Sequence, residues 1–326
     1  MDKNRHLCVG VHHTFDNMTD LANEIDCFVQ AAHNKTMENR PKGSRLHCLM
    51  SATHQPITDT IMKTNLFDMT QNYARDGFIS GVKIVEQARA AIHRKAMEKA
   101  EATIGSLHYK TKAHTILQSP LELATLPSVL DIVEALIGPD ILIYNVTYVV
   151  KEANTASHVS WHQDLTYWGL SHDDQVSMWI ALSPATLESG CMRMLPGSQA
   201  LGRQHHALTE DQSNVLLQGQ TVLGIDESKA VTCALAPGEA SFHHGWTLHA
   251  SMPNNSSDRR IGLNVQYIAA HVRQTKHNID SAMLVRGVDQ HHHFTPDMPA
   301  KSDLNPEALV RQADLEARYL AIAGTE

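Results

Sequence analysis

The 326-residue chain is short of several things at once. It has no apolar run near the ~20 residues that a membrane-spanning helix needs, so no membrane partner is expected. It has no block of Lys or Arg of the kind that marks a nucleic-acid surface. Lys and Arg number 27 against 35 Asp and Glu, a net charge of −8, and nucleic acid is therefore not expected as a partner. Small anionic ligands remain open, because they need only one or two local cations. The five cysteines, Cys8, Cys27, Cys48, Cys191 and Cys233, form no CxxC pair and no even framework, so reduced, scattered thiols are expected. The first three stand near His6, His12, His13, His33 and His47. Structural zinc sites, however, announce themselves by short paired spacings, and this stretch reads as loose polar sequence. The opening "MDKNRHLCVGVHHTF" lacks an apolar signal core, which makes a cytoplasmic location the expectation. No internal repeat or low-complexity tract is visible.

What is present is an ordinary soluble composition, 42% hydrophobic, in a chain long enough to bury a substantial core. Residues 1–65 carry breakers and no sustained period, and are expected to form a flexible or accessory extension. The domain proper is expected over 66–326. Its helical part spans 66–140, a β core spans 141–275, and a loop and helix follow over 276–326. Asp76-Gly77 reads as a turn, and Phe78–Val85 as a strand. "EQARAAIHRKAMEKAEATIG" is rich in helix formers and stops at Gly105. A second helix opens at Pro127, repeats Val129, Ile132, Val133 and Leu136 at helical spacing, and ends at Gly138-Pro139. From Ile141 onward, short β-branched and aromatic runs such as "ILIYNVTYVV", "QVSMWIAL", "TVLGI" and "RRIGLNVQYIAAHV" alternate with turn residues, the signature of an antiparallel sandwich or barrel. "NPEALVRQADLEARYLAIAG" closes the chain as an amphipathic helix.

One stretch, "WHQDLTYWGL", places His162 and Asp164 two residues apart in an apolar, aromatic run. With 22 His and 35 acids in 326 positions, chance alone supplies about two His-x-acid pairs, and there are two, this one and His172/Asp174. The pair means nothing without context. Read as a strand, His162 and Asp164 share a face and can offer an imidazole nitrogen and a carboxylate oxygen to one point. Downstream, "FHHGWTLHASMPNNSSDRR" ends one apolar run at His249 and begins the next at Arg260 beyond a turn. Two antiparallel strands joined this way would set His249 and Arg260 side by side. Two histidines and one carboxylate with open positions select non-haem Fe(II) and oxygen chemistry. The planar fork of an arginine suits a carboxylate, and the pair describes a site for a 2-oxo diacid. Arg259 rivals Arg260, since alternation turns only one of them inward.

"HQDLTYW", "SMWIALSPATLESGCMRMLPGS" and "HASMPNNSSDRRIGLN" together resemble the phytanoyl-CoA dioxygenase family of Fe(II)/2-oxoglutarate oxygenases, which also holds ectoine hydroxylase. The resemblance runs from about Tyr73 to Tyr267 and is strongest over 158–267. It implies a double-stranded β-helix, or jelly roll, flanked by helices, with Fe(II), 2-oxoglutarate and O2 as cofactor and co-substrates. His162, Asp164 and His249 would be the iron ligands, and Arg260 would bind the distal carboxylate of 2-oxoglutarate. Ser251 and Trp179 match co-substrate contacts, Gln163 sits between two ligands, and Lys110 and Thr147 align through weakly similar stretches. The resemblance implies oxidation of a small molecule, hydroxylation before desaturation or ring closure, with release of succinate and CO2. The lack of a basic cluster for a nucleotide diphosphate favours a small polar or zwitterionic substrate. Halogenating relatives lack the carboxylate that Asp164 supplies. The competing class is a cupin-type module that binds a metal or small ligand without turnover, and Arg260 argues against it. His243 and His244 read as satisfied strand histidines, and His205-His206 and His291-His292-His293 as exposed loop residues.

Overall fold

In "ILIYNVTYVVK" and "RIGLNVQYIA" polar side chains recur at every second position, and the two runs become the central pair of the fold. Strand β2 (Ile141–Lys151) pairs antiparallel with β11 (Arg260–Ala269) from Arg260↔Lys151 to Ala269↔Ile141. The structure is a computed structural model in which residues 66–216 and 219–323 are described. The expected extension at 1–65, with Cys8, Cys27 and Cys48, lies outside those residues. Around the central pair, a seven-stranded sheet runs β1 (Phe78–Lys83), β9 (Glu239–His244), β4 (Gln175–Ala181), β11, β2, β12 (Ser281–Arg286) and β13 (Thr295–Pro296). A four-stranded sheet runs β3 (Val159–His162), β10 (His249–Ser251), β5 (Met192–Met194) and β8 (Val231–Cys233). The short pair β6 (Ala207–Leu208) and β7 (Gln220–Thr221) stands beside them. This is the jelly roll.

The period of two sorts the residues of β2 and β11 between two environments. Val146, Tyr148 and Val150, with Ile261, Leu263 and Val265, join the core under helices Gln87–Ile104 and Pro127–Ile137. Each such aliphatic side chain taken from water contributes about 1.5–3 kcal/mol. Asn145, Thr147 and Val149, with Arg260, Asn264 and Gln266, face the other way and line a cavity. Both faces are thus covered, and neither strand shows a simple solvent-facing alternation.

Helix Gln87–Ile104 ends at Gly105 and helix Pro127–Ile137 at Gly138, as their caps indicate. The C-terminal helix Pro306–Ala323 sends Tyr319 and Ala323 against Tyr144 and Trp168. Helix Gln118–Ala124 and strand β12 had no periodic signal long enough to announce them. Strand β12 is held to β2 through a buried cation. Lys112 Nζ donates to the Tyr144 carbonyl (2.5 Å) and the Ser281 carbonyl (2.7 Å), and pairs with Asp297 Oδ2 at 2.9 Å. Removing one partner would strand a buried charge, a loss of about 3–5 kcal/mol.

Two expectations need correction. His162 and Asp164 do not share a strand face: β3 ends at His162, and Asp164 has helical φ/ψ at the start of the turn Leu165–Trp168. Nor do His249 and Arg260 neighbour each other on one ladder. β10 lies in the four-stranded sheet and β11 in the seven-stranded one, so the two residues approach the cavity from opposite sheets. Among the described residues, no helix is long and apolar enough to cross a membrane. Cys191 and Cys233 are buried free thiols.

Candidate active site

His162 and His249 are cross-strand partners in the register of β3 and β10, with ring centroids 4.0 Å apart. His162 Nδ1 lies 2.9 Å from the Ser160 carbonyl, and His249 Nδ1 lies 3.0 Å from the Thr247 carbonyl. A carbonyl can only accept, so each Nδ1 carries the proton and each Nε2 presents a lone pair. Asp164 Oδ1 lies 3.6 Å from His162 Nε2 and 3.8 Å from His249 Nε2. The three donor atoms fall within 4.8 Å of one another, a donor set of the two-histidine, one-carboxylate kind. The fit is chemical as well as spatial: tautomers set by backbone carbonyls leave the lone pairs aimed at one point.

The other oxygen of Asp164 is held from behind. Ser177 Oγ donates to Oδ2 at 2.8 Å, and His243 Nε2 lies 3.3 Å from the same atom. Burial alone would raise the Asp164 carboxyl, but contacts from His162 and His243 and the nearby His249 outweigh it and hold it well below the usual range. Burial, with His162 and His243 beside it, pushes His249 well below the ordinary imidazole range, which favours the neutral ring a metal requires. His243 is thus no ordinary strand histidine. It lines the cavity, and its Nδ1 has no protein partner.

The cavity encloses about 190 Å³. Arg260 lines it and is buried to 1% exposure, with its guanidinium 5.0 Å from the centroid of the Trp179 ring. Nη1 donates to the Gly190 carbonyl at 3.1 Å, Nε has no protein partner, and burial pulls the guanidinium down to about 10. Arg259 points outward into ion pairs with Glu101 and Glu152 at 2.9 Å. Alternation chose Arg260. The stacking of Arg260 on Trp179 depends on Gly262: a Cβ there would sit 1.9 Å from Trp179 Cζ2. Ser251 and Thr147 are buried and line the same space.

Two candidate positions are placed elsewhere. Lys110 pairs with Glu316 of the C-terminal helix at 2.9 Å, while its neighbours Tyr109 and Thr111 take the cavity side. Gln163, fully buried, turns away from the ligands. Its Nε2 donates to the carbonyls of Gly202 and Trp246, and its Oε1 accepts from Gln204 N. It ties the loop after β5 to the end of β3. His206 belongs to that tie, half-buried with Nε2 accepting from Gln163 N at 3.1 Å, and so is not an exposed loop residue. His291, His292 and His293 are exposed. Sequence reading also missed Asn145, Gln266 and Lys151. Polar residues at every second position of "YNVTYVVK" were the available signal.

Jelly-roll topology with this donor set and a buried arginine in one cavity defines the class of 2-oxoglutarate-dependent non-haem iron oxygenases. A family model for phytanoyl-CoA dioxygenase matches residues 75–262, and the chain belongs to that family. It is 27% identical over 235 residues to the L-proline trans-4-hydroxylase of Streptomyces griseoviridis, covering 62% of this chain and 86% of that one. It is 26% identical over 151 residues to human peroxisomal phytanoyl-CoA dioxygenase, covering 45% of each, less than half of that relative's length. Among solved structures, the apo form of the non-heme monooxygenase ThoJ superposes with a TM-score of 0.71 at 28% identity, over 79% of this chain and 98% of that one. Fe(II), 2-oxoglutarate and O2 are accordingly the cofactor and co-substrates of this protein.

Proposed function

We propose that the protein hydroxylates an unactivated carbon of a small, uncharged polar molecule, with His162, Asp164 and His249 holding the iron. The observation that carries this reading is the pair of carbonyl-fixed imidazoles facing Asp164 Oδ1 in a cavity that also contains Arg260. When bound, iron and 2-oxoglutarate supply the oxidation, consuming O2 and yielding succinate and CO2. The chain's own part is positioning. Ser160 and Thr247 carbonyls fix the two rings, and Ser177 and His243 hold the carboxylate. Arg260 receives the distal carboxylate of the co-substrate, with Trp179, Ser251 and Thr147 shaping its berth. Asp164 occupies the position that a halide would need, which favours transfer of hydroxyl over halogen.

The walls indicate the substrate. Among the described lining residues, Asp164 and Arg260 are the charged side chains apart from histidines, and iron and co-substrate engage both. What remains is neutral, mostly apolar, with a few hydrogen-bonding groups set among it. Thr111 Oγ1 and Tyr167 Oη are buried without a protein partner, and Asn145 and Gln266 lie beside the Tyr319 hydroxyl. Each such atom costs about 1–3 kcal/mol unless a ligand satisfies it. Trp168, Leu216 and Leu320 supply apolar contact beside them. Hydrogen-bonding groups without net charge match this lining better than a zwitterion does.

The test is turnover under labelled O2 across a panel of small polar molecules, reading succinate and product mass together. A product heavier by one labelled oxygen supports hydroxylation. A product of unchanged mass, or lighter by two hydrogens, replaces it with epimerisation or desaturation. Metal binding with no succinate from any member of the panel would favour the non-catalytic module.

A further inference from the structure

Behind the cavity wall lies a second buried basic side chain. Lys151 is the register partner of Arg260 across the β2–β11 ladder, and both are exposed to 1%. Lys151 Nζ donates to Ser251 Oγ at 2.7 Å and to the Met252 carbonyl. Ser251 itself lines the cavity. Among the described residues neither Lys151 nor Arg260 forms an ion pair with a carboxylate, although the buried Lys112 does. Charging both with no anion between them is unfavourable, because desolvation costs several kcal/mol per ion and their mutual repulsion adds to it. Such a pair is explained by an anion that arrives from outside.

We propose that Lys151 and Arg260 together form the receptor for the distal carboxylate of 2-oxoglutarate, with Lys151 acting through the Ser251 hydroxyl and gaining one proton from solvent as the anion binds. The inference rests on the assignment of Arg260 to that carboxylate. Among the described residues, no carboxylate near Lys151 is free to balance a charge on it. From β11 it faces Arg260, from β10 and its exit Ser251 and the Met252 carbonyl, and near β5 the buried thiol of Cys191. His108 and Tyr109, which precede β2, lie toward Arg260. Glu152, the next residue along, is spent on the outward Arg259. Burial first, and Arg260 second, lower the Lys151 ammonium to about 6.

The sign follows. In the ligand-free protein Lys151 is neutral above that value, whereas Arg260 cannot shed its proton at ordinary pH. A carboxylate placed beside them favours the charged amine, so binding takes up a proton. Between the free and bound pKa values, 2-oxoglutarate affinity should fall about tenfold for each unit rise in pH. Lys151 acts as a positioning residue, since it meets the co-substrate through Ser251.

The experiment is anaerobic calorimetry on the Fe(II)-loaded full chain near neutral pH, in buffers of unlike ionisation enthalpy. Two ligands are compared, 2-oxoglutarate and 2-oxovalerate, which carries a methyl group where the distal carboxylate would be. Protons released or absorbed at the metal are common to both. The expected result is about one additional proton taken up with 2-oxoglutarate. Lys151→Met, which keeps the stem, should weaken 2-oxoglutarate roughly ten- to a hundred-fold, leave 2-oxovalerate within about twofold, and abolish the additional proton. Equal uptake for the two ligands in the wild type overturns the proposal without recourse to any variant. So does wild-type 2-oxoglutarate affinity in Lys151→Met. Absence of any binding heat for 2-oxoglutarate in the wild type would instead remove the assignment of Arg260 on which this proposal rests.

Discussion

The two oxygens of Asp164 serve different neighbours: Oδ1 faces His162 and His249, while Oδ2 is held by Ser177 at 2.8 Å and faces His243 Nε2 at 3.3 Å. Asp164 stands past the end of β3 in helical conformation, and its strand does not orient it. Ser177 and His243 do. They are themselves cross-strand partners on β4 and β9, so the seven-stranded sheet aims a carboxylate that follows the end of a four-stranded-sheet strand.

Replacing those two supports should therefore loosen iron without removing a ligand. His243→Phe combined with Ser177→Ala is expected to lower Fe(II) affinity about ten- to a hundred-fold, with the fold intact by circular dichroism. Competition against a chelator of known affinity measures it. Unchanged affinity in the double variant would mean that Asp164 is oriented by its own backbone.

Asp164→Asn should abolish both tight iron binding and succinate formation. Asp174→Asn should do neither. Asp174 sits in a surface pair with His271 at 2.9 Å, and an exposed carboxylate of that kind contributes within about 0.5 kcal/mol. Iron content after dialysis, measured side by side, separates the two. Equal iron content would remove Asp164 from the ligand set.

Arg260→Ala removes one side of a buried charged contact, typically about 2–5 kcal/mol, so 2-oxoglutarate should bind tens to thousands of times more weakly. Iron binding should change far less. Arg259→Ala breaks pairs with the part-buried Glu101 and the exposed Glu152, both outside the cavity, and should leave 2-oxoglutarate affinity as it was. Titration of the weak visible charge-transfer band formed anaerobically with Fe(II) and 2-oxoglutarate reads both. A larger loss from Arg259→Ala would reverse the assignment.

Gly262→Ala puts a methyl group into the Trp179 ring. Overpacking of that sort costs about 1–3 kcal/mol, and here it also shifts the ring under Arg260. Lower thermal stability and weaker 2-oxoglutarate binding should appear together. Adding Trp179→Phe, which frees the space, should restore stability more than binding. Full recovery of both would show that the indole contributes only volume.

Much of this protein is legible without coordinates, and the reason is local. Gly105, Pro127 and Gly138 mark helix ends because they act on their own φ and N–H groups. That only one of Arg259 and Arg260 turns inward follows from the strand period alone. The order His162, Asp164, His249 and Arg260, with its fixed separations, carried the family and its cofactors. Spacing is a one-dimensional property and survives in one dimension.

Only the tertiary structure decided the rest, because those facts are relations between segments far apart in the chain. Nothing near Asp164 in sequence tells of Ser177 and His243, which reach it through the pairing of β4 with β9. Gln163, between His162 and Asp164, turns away from their facing atoms to tie the loop at Gly202 and Gln204, and Lys110 yields the cavity to Tyr109 and Thr111. His249 and Arg260, eleven residues apart, belong to different sheets and meet only across the cavity. The opposition of Lys151 and Arg260 exists only once β2 and β11 are paired in register. Which charges are buried together depends on how sheets close on one another, and closure is a three-dimensional event that no spacing along the chain records.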